Sequence, residues 1–454
     1  MSESIRKENK MGVMPIPKLL ITMSLPMILS MLIQALYNVV DSMFVAQLSE
    51  DALTAVSLTF PVQNLIIAIS VGTGVGINAL LSRYLGEHRY DQANAVAKNG
   101  IFITFVSSAI FAGIGILSSH FFFTTQTDNP TIIKYGTTYM FIITLFSFGC
   151  FMQITLERLL QATGKTIYNM ITQGTGAVIN IILDPILIFG LFGFPRLEVA
   201  GAAIATIIGQ FVAVSLSVYF NCKKNTEIHL NFKNFHPCSS TIKEIYKIGV
   251  PSIIMQSIGS IMTFGMNKIL MEFSSTATAV FGIYFKLQSF IFMPVFGLTN
   301  GMIPIVAYNY GAKNKERIYH TRRLSILIAI AIMTAGLLLL QAIPTQLLNC
   351  FDASENMLKI GIPALRIISI SFPFAGYCIV CSATFQALGN GVYSLITSAA
   401  RQLLVILPVA YVFGQIFGLH TIWWSFPIAE LVSVFLSVIL IKRIFKLKLQ
   451  NLDS

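Results

Sequence analysis

Long apolar stretches alternate with short polar segments along the whole chain. A helix needs about 20 residues to cross the ~30 Å hydrocarbon core of a bilayer, and twelve stretches reach that length. They lie at residues 15–46, 53–82, 95–120, 132–160, 166–190, 198–220, 243–271, 278–308, 318–345, 357–386, 392–417 and 421–442. Because backbone groups in lipid must be hydrogen-bonded within the protein, the pattern predicts an all-α membrane protein with twelve transmembrane helices.

The second half of the sequence repeats the first at a constant offset of 225 residues. The repeated pairs include Pro26 and Pro251, Gly72 and Gly297, Gly76 and Gly301, Gly164 and Gly389, and Tyr168 and Tyr393. Six spans return the chain to its starting face, so both halves insert with the same polarity. We therefore predict two six-helix bundles related by a pseudo-two-fold axis along the membrane normal. The N-terminal bundle is 1–220, a cytoplasmic linker is 221–241, and the C-terminal bundle is 242–454.

Glycines recur in this repeat at a spacing that suits helix packing. Gly72 and Gly76 are four residues apart, as are Gly297 and Gly301. Small residues at this spacing let membrane helices approach closely. A nucleotide-binding loop is excluded, because no strand precedes the glycines and no phosphate-binding lysine accompanies them.

The chain carries few charges for its length, and their distribution predicts its orientation. Of the 454 residues, 55% are hydrophobic and 11% are charged, whereas ordinary soluble domains carry about 25% charged residues. Most of the 30 lysines and arginines fall in tails and loops on one side, which the positive-inside rule assigns to the cytoplasm. We therefore expect a multi-pass protein of the cytoplasmic membrane with both termini in the cytoplasm.

The same distribution bears on partners and chemistry. The net charge of +11 could suit nucleic acid, but the basic residues are dispersed over short loops between apolar spans. The expected partner is therefore the lipid bilayer and not nucleic acid, and we expect a monomer. The spans contain no metal-binding His/Asp spacing and no nucleophile elbow, so we expect neither an enzyme nor a resident cofactor.

Polar residues that break the repeat are the candidates for chemistry. Asp41, Asn180 and Asp184 lie within spans of the first half, and their repeat positions hold Met266, Val405 and Val409. An Asp at the centre of a membrane helix costs about 2.5–3.5 kcal/mol, so such residues are functional candidates. Asn180 is one helical turn before Asp184 and shares its face.

Helix direction places two further residues at a similar depth in the outer half of the first bundle, namely Tyr139 and Thr206. Two carboxylates that meet in a low-dielectric site cannot both stay charged unless a cation or a proton joins them. The sequence thus predicts a coupling site for Na⁺ or H⁺, and both ions remain open. The alternative is a hydrogen-bond network that only locks helix packing.

The second bundle has charged residues of its own. Lys286, Arg366 and Glu430 lie at similar depth and have opposite signs, which predicts an ion pair or triad with a structural role. Arg401 lies nearer the inner end of its span, and its side chain is expected to extend toward the membrane surface.

Several motifs together resemble the multidrug and toxic compound extrusion (MATE) family. The most specific is Asn180-Ile-Ile-Leu-Asp184-Pro185. It is accompanied by Leu25-Pro26, Asn38-Val-Val-Asp41, Leu85-Gly86, Gln161-Ala-Thr-Gly164 and Gly201-Ala-Ala-Ile-Ala-Thr206. The resemblance covers both halves. It implies a cation-driven multidrug efflux antiporter for small amphipathic, often cationic, organic compounds.

The resemblance also implies that Asp41, Asn180, Asp184 and Thr206 form the cation site, with Tyr139 at its edge. Some members carry acids within the seventh and tenth helices, but this chain has no acid between Leu358 and Gln386. That favours the branch with the cation site in the N-terminal bundle. The alternative function is a flippase of a lipid-linked oligosaccharide or a related amphipath, because related flippases share the two-bundle plan.

Overall fold

The computed structural model describes residues 8–233, 235–351 and 353–450, and all regular secondary structure in these ranges is helical. Ten helices are long and apolar enough to cross a membrane, and two bent helix pairs bring the count to twelve. We number these spans in chain order. They are α1 (Ile16–Ala46), α2 (Glu50–Gly86), α3 (Tyr90–Thr124), α4 (Pro130–Leu145 with Phe148–Ala162), α5 (Thr166–Phe189), α6 (Val199–Lys223), α7 (Ser239–Met271), α8 (Ser275–Gly311), α9 (Lys315–Ala342), α10 (Glu355–Ser369 with Phe372–Ala387), α11 (Gly391–Phe417) and α12 (Leu419–Lys448). The predicted fold class is confirmed.

Two of the spans are bent where a continuous helix was predicted. The parts of α4 meet at 42° and those of α10 at 49°. Pro373 lies in the first turn after the break in α10, and a proline cannot donate to the preceding turn. The break in α4 contains no proline, so its hydrophobic pattern gave no sign of the bend.

Two compact units divide the chain at points that differ from the predicted boundary. One unit is Leu29–Gly249, and the other combines the described residues up to Ile28 with those from Val250 onward. Below, they are called the first and second units. The divisions fall inside α1 and α7, next to the repeated prolines Pro26 and Pro251. The beginning of each half's first helix therefore belongs to the unit formed mainly by the other half.

The repeated glycines explain this exchange of helix beginnings. In the first unit, a Cβ on Gly76 would clash with the backbone carbonyl of Ile245 on α7. In the second unit, a Cβ on Gly301 would clash with Ser24 on α1, and Ser24 Oγ donates to the Leu298 carbonyl at 3.2 Å. Gly76 and Gly301 thus each allow the backbone of a neighbouring helix to pack closely, and the predicted close helix approach is confirmed.

The segments that precede α1 and α7 are also hydrogen-bonded. Arg317 donates to the carbonyls of Met11 and Met14 at 2.9 and 2.7 Å, which fastens the short helix Lys10–Val13 in the second unit. In the first unit, the backbone N–H of Cys238 donates to Asn99 Oδ1 at 2.8 Å. The predicted linker at 221–241 is shorter than expected, because α6 extends to Lys223 and α7 begins at Ser239.

Candidate cation site

All five residues predicted for the cation site lie in the first unit. Asp41 belongs to α1, Tyr139 to α4, Asn180 and Asp184 to α5, and Thr206 to α6. The structure brings these side chains into one cluster. Their grouping in space therefore follows the depth and face that the sequence indicated.

A seam of glycines between α5 and α6 positions the cluster. A Cβ on Gly176 would meet the Gly209 carbonyl at 2.9 Å, and a Cβ on Gly209 would meet the Gly176 carbonyl at 2.7 Å. Only residues without a side chain allow the two backbones to approach so closely. The seam lies one turn from Asn180, and it brings Asn180 against Thr206.

Asn180 connects Asp184 to Thr206. In the amide orientation that satisfies all partners, Asn180 Nδ2 donates to Asp184 Oδ2 at 3.0 Å. Its oxygen accepts from the Thr206 hydroxyl at 3.2 Å and from the Thr206 backbone N–H at 3.0 Å. The side-chain NH₂ group of Asn180 therefore holds Asp184 in place, and the side-chain oxygen of Asn180 is occupied by the two donors of Thr206.

The two carboxyl groups of the cluster lie beside one another. Asp41 and Asp184 are within hydrogen-bonding reach of each other. Asp184 has no exposed surface, and Asp41 Oδ1 is buried with no hydrogen-bond partner among the described residues. Within the described ranges, neither carboxyl forms an ion pair with a basic side chain. Such a pair needs a shared proton or a bound cation to offset the repulsion.

Two further side chains complete the cluster, and the sequence analysis missed both. The Tyr37 hydroxyl lies near Thr206, Asp41 and Asp184. Gln63 Nε2 donates to Tyr139 Oη at 3.0 Å. Tyr37 is four residues before Asp41 on the same helix, so its shared face was a usable signal. The contact of Gln63 with Tyr139 depends on how α2 packs against α4, and this packing cannot be predicted from the sequence pattern of either helix.

The donor set suits a small hard cation or a proton. Carboxylate and hydroxyl oxygens are the ligands that hard cations prefer. Asp41, Asp184 and Tyr37 provide them close together, whereas the Thr206 hydroxyl donates to Asn180. With the amide oriented toward Asp184, Asn180 acts by positioning a carboxylate. The unpartnered oxygen of Asp41 marks the point at which a cation or proton would be received.

A largely open apolar cavity of about 460 Å³ lies between α1 and α5 in the same unit. Its lining includes Leu29, Ile33, Met170, Gly174 and Val178. Its walls could accept the hydrocarbon part of an amphipathic molecule.

The structure corrects the ion pair predicted for the second bundle. Glu430 is paired with Arg401, whose Nη1 donates to Glu430 Oε1 at 2.6 Å, and not with Lys286 or Arg366. Lys286 and Arg366 are exposed, and Lys286 Nζ lies 5.7 Å from the centre of the Phe351 ring. Depth along a helix was a poor guide here because it ignores which side of the helix faces the bundle interior.

The environment of Arg401 also departs from the prediction. It lies in a wider π-helical turn at Ala400–Ile406 of α11, and its side chain turns toward Glu430 rather than toward the membrane surface. The side chains of Arg401 and Glu430 are 25% and 7% exposed. Glu430 Oε2 is buried and has no hydrogen-bond partner in the part of the chain that the structure describes.

Comparisons with known proteins cover nearly the whole chain. A family model described as MatE matches residues 26–186 and 251–412. The chain is 29% identical over 425 residues to the multidrug export protein MepA of Staphylococcus haemolyticus (strain JCSC1435), and the match covers 93% of each chain. It is also 27% identical over 430 residues to an FAD transporter of Shewanella oneidensis, with 95% of each chain covered.

Solved structures show the same fold. An outward-facing multidrug resistance MATE family transporter of the MOP superfamily superposes with a TM-score of 0.91 and 24% sequence identity, over 99% of this chain and 100% of the other. A MATE in the bent conformation gives a TM-score of 0.90 at 24% identity, over 97% and 98%. At these identities the likeness concerns the fold.

Proposed function

The chain belongs to the MatE family of membrane transporters, and we propose that it is a cation-coupled antiporter that exports amphipathic organic cations and other xenobiotics. The observation that carries this proposal is the adjacent pair Asp41 and Asp184. Asp184 is fully buried, Asp41 is half-buried, the Tyr37 hydroxyl lies near both, and neither acid has a basic partner in the described ranges. Carboxyls without partners inside a membrane protein mark ion or proton pathways.

In the proposed mechanism, the coupling cation or proton binds between Asp41 and Asp184. Binding removes the repulsion between the two carboxylates, and release restores it. Binding shifts the conformational equilibrium if one conformation holds the two carboxylates closer together than the other and so binds the cation more tightly. Asn180 and Thr206 hold Asp184 in place, and Tyr37 supplies a further oxygen. Na⁺ and H⁺ both satisfy this scheme.

The cavity and the relatives support the proposed substrate class. Leu29, Ile33 and Val178 provide an apolar wall for hydrocarbon groups, and a relative of similar length is a multidrug export protein. We propose that the protein belongs to the branch of the family that has its cation site in the N-terminal bundle. We also propose that both termini lie in the cytoplasm. The second bundle lacks an equivalent of Asp41 or Asp184 at the repeat positions.

Transport in everted membrane vesicles tests the proposal. Everted vesicles from an efflux-deficient bacterium that expresses the protein are placed in medium that contains ethidium or tetraphenylphosphonium, and a Na⁺ or a pH gradient is imposed, one at a time. We expect gradient-dependent uptake into the vesicles, and greater tolerance of the same compounds in whole cells. If no compound of a broad panel moves under either gradient, although the protein is present in the membrane, the proposal is wrong.

A second candidate is export of flavin dinucleotide, because a relative with 27% identity over 95% of both chains is an FAD transporter. That identity is close to the 29% found for the multidrug exporter, so sequence similarity alone does not separate the two. Flavin fluorescence in the medium of expressing cells separates them. Release of FAD without any effect on dye tolerance would favour the second candidate.

A further inference from the structure

The repeat reveals a second asymmetry, at the membrane face where α9 begins and α12 ends. Six basic residues lie there in the second unit, and their repeat positions in the first half retain only two basic residues. The six are Arg322, Arg323, Lys442, Arg443, Lys446 and Lys448, opposite Ala97, Lys98, Ser217, Val218, Asn221 and Lys223. The scaffold alone therefore does not require this density of charge.

Arg322 is held between aromatic rings and has no acidic partner among the residues that the structure describes. Its guanidinium carbon lies 5.5 Å from the centre of the Phe445 ring and 6.0 Å from that of Tyr377. Among the described residues, its Nη2 makes only long contacts, 3.5 Å to Tyr377 Oη and 3.7 Å to Cys381 Sγ, and its Nε is buried with no acceptor. Aromatic faces orient an arginine, and here they leave its two terminal nitrogens, rather than the buried Nε, available to an oxyanion.

Neighbouring cations converge on the same place. Tyr319 and Phe445 are in edge contact at 5.1 Å, which joins the ends of α9 and α12. Lys442 is one turn from Phe445, and Arg323 is one turn from Tyr319. Both basic residues are exposed, and neither forms an ion pair with any residue that the structure describes.

Two other charged residues at this face have different surroundings. Lys448 Nζ donates to the Leu388 carbonyl at 2.6 Å, so it caps the end of α10. Glu316, the acidic residue in the first turn of α9, lies almost two turns before Arg323. The local field around Arg322 is therefore positive.

An exposed apolar stripe on α12 leads to this cluster. Phe435 and Ile439 are 67% and 46% exposed, and Lys442 and Lys446 continue the same face at helical spacing. Acyl chains lying along Phe435 and Ile439 would bring a headgroup to the level of the lysines and of Arg322. A soluble anion would gain nothing from the stripe, whereas a phospholipid would use both parts.

We propose that Arg322, Arg323, Lys442 and Lys446 form a binding site for the phosphate of an anionic phospholipid, with Arg322 as its oriented donor. Arginine binds phosphate through paired N–H groups, and clusters of basic residues at the cytoplasmic end of membrane helices bind anionic headgroups. The site is separate from the proposed transport site and does not depend on which compound is exported.

Lipid binding to the purified full-length protein in detergent tests the site. Short-chain phosphatidylglycerol is titrated into the protein, and the number of bound lipids is counted by native mass spectrometry. Phosphatidylcholine of the same chain length, which is zwitterionic and has no net charge, is the comparison lipid. We expect selective binding of phosphatidylglycerol. Each change among Arg322→Gln, Arg323→Gln and Lys442→Gln should weaken it by about five-fold, which corresponds to the ~1 kcal/mol that a basic residue contributes near an anionic surface.

The repeat supplies the matched control. Lys98→Gln removes a cation at the repeat position of Arg323 and should leave phosphatidylglycerol binding unchanged. Arg323→Gln and Lys442→Gln alter exposed side chains, so they report on the site even where Arg322→Gln does not fold. Equal binding of both lipids, equal losses in Lys98→Gln and Arg323→Gln, or full competition by inorganic phosphate would each overturn the proposal.

Discussion

The guanidinium of Arg401 and the carboxylate of Glu430 form a 2.6 Å ion pair in the second unit. Their repeat positions in the first half are Gly176 and Ala205. Gly176 belongs to the glycine seam that presses α5 against α6, and Ala205 adjoins Thr206 of the cation site. The helix position that holds Arg401 in the second unit is thus used for close backbone packing in the first unit.

This pair predicts a loss of stability in Glu430→Gln. The change leaves Arg401 without its counter-charge, and breaking a buried pair costs about 3–5 kcal/mol; the partial exposure of Arg401 favours the lower end. Thermal melting in detergent measures the loss, and Arg401→Gln combined with Glu430→Gln should recover part of it. Arg366→Gln is the control, because Arg366 is exposed. Normal melting of Glu430→Gln together with an altered cation dependence of transport would place Glu430 in the coupling machinery instead.

Asp41→Asn and Asp184→Asn should each abolish gradient-driven efflux while the protein still folds. Asparagine keeps the shape of the side chain and removes the charge that a cation or proton neutralises. The measurement is dye transport in proteoliposomes under imposed Na⁺ and pH gradients. Asp128→Asn makes the same chemical change in an exposed loop and should transport normally. Normal transport by Asp41→Asn would remove the site from the mechanism.

Tyr37→Phe tests the residue that the sequence analysis missed. Loss of its hydroxyl removes one oxygen near Asp41 and Asp184, so the concentration of the coupling cation needed for half-maximal transport should rise several-fold. Maximal transport should change less. Tyr168→Phe is the control, since Tyr168 stacks on Phe220 at 4.5 Å. Identical cation dependence in the two variants would show that Tyr37 is not part of the site.

Glycine-to-alanine changes should separate packing glycines from tolerant ones. Gly76→Ala places a methyl group against the Ile245 backbone, and Gly301→Ala places one against Ser24. Overpacking of this kind costs roughly 1–3 kcal/mol. Gly113→Ala meets no atom within 4 Å and should be neutral or stabilising, because alanine is the better helix former. Melting temperatures of the three variants, measured in one detergent, compare them directly.

Gly174→Leu should narrow the range of exported compounds. Gly174 lines the cavity between α1 and α5, and a Cβ there meets only Ile33 Cδ1 at 3.7 Å. A leucine therefore fits without backbone strain and occupies part of the 460 Å³. Tolerance of bulky dyes should fall more than tolerance of small ones. An unchanged dye profile with normal expression would show that the cavity does not receive substrate.

The fold class, and most of the residues that cluster in the candidate cation site, could be predicted from the amino-acid pattern alone. Apolar length predicted the spans, because a bilayer imposes a fixed length on any helix that crosses it. Comparison of the two halves singled out Asp41, Asn180 and Asp184. Residues that the helix packing requires recur in both halves, whereas residues with a chemical role can be present in one half only. Helical depth then grouped them with Tyr139 and Thr206 on neighbouring helices.

Only the tertiary structure decided which side chains meet across helices. The partner of Glu430, the contact between Gln63 and Tyr139, and the approach of Gly76 to α7 all depend on helix rotation and pairing, which a single helix pattern does not encode. The bend in α4 and the division of α1 and α7 between the two units have the same origin. They arise from packing between elements distant in sequence, whereas apolar length and repeat asymmetry are local properties.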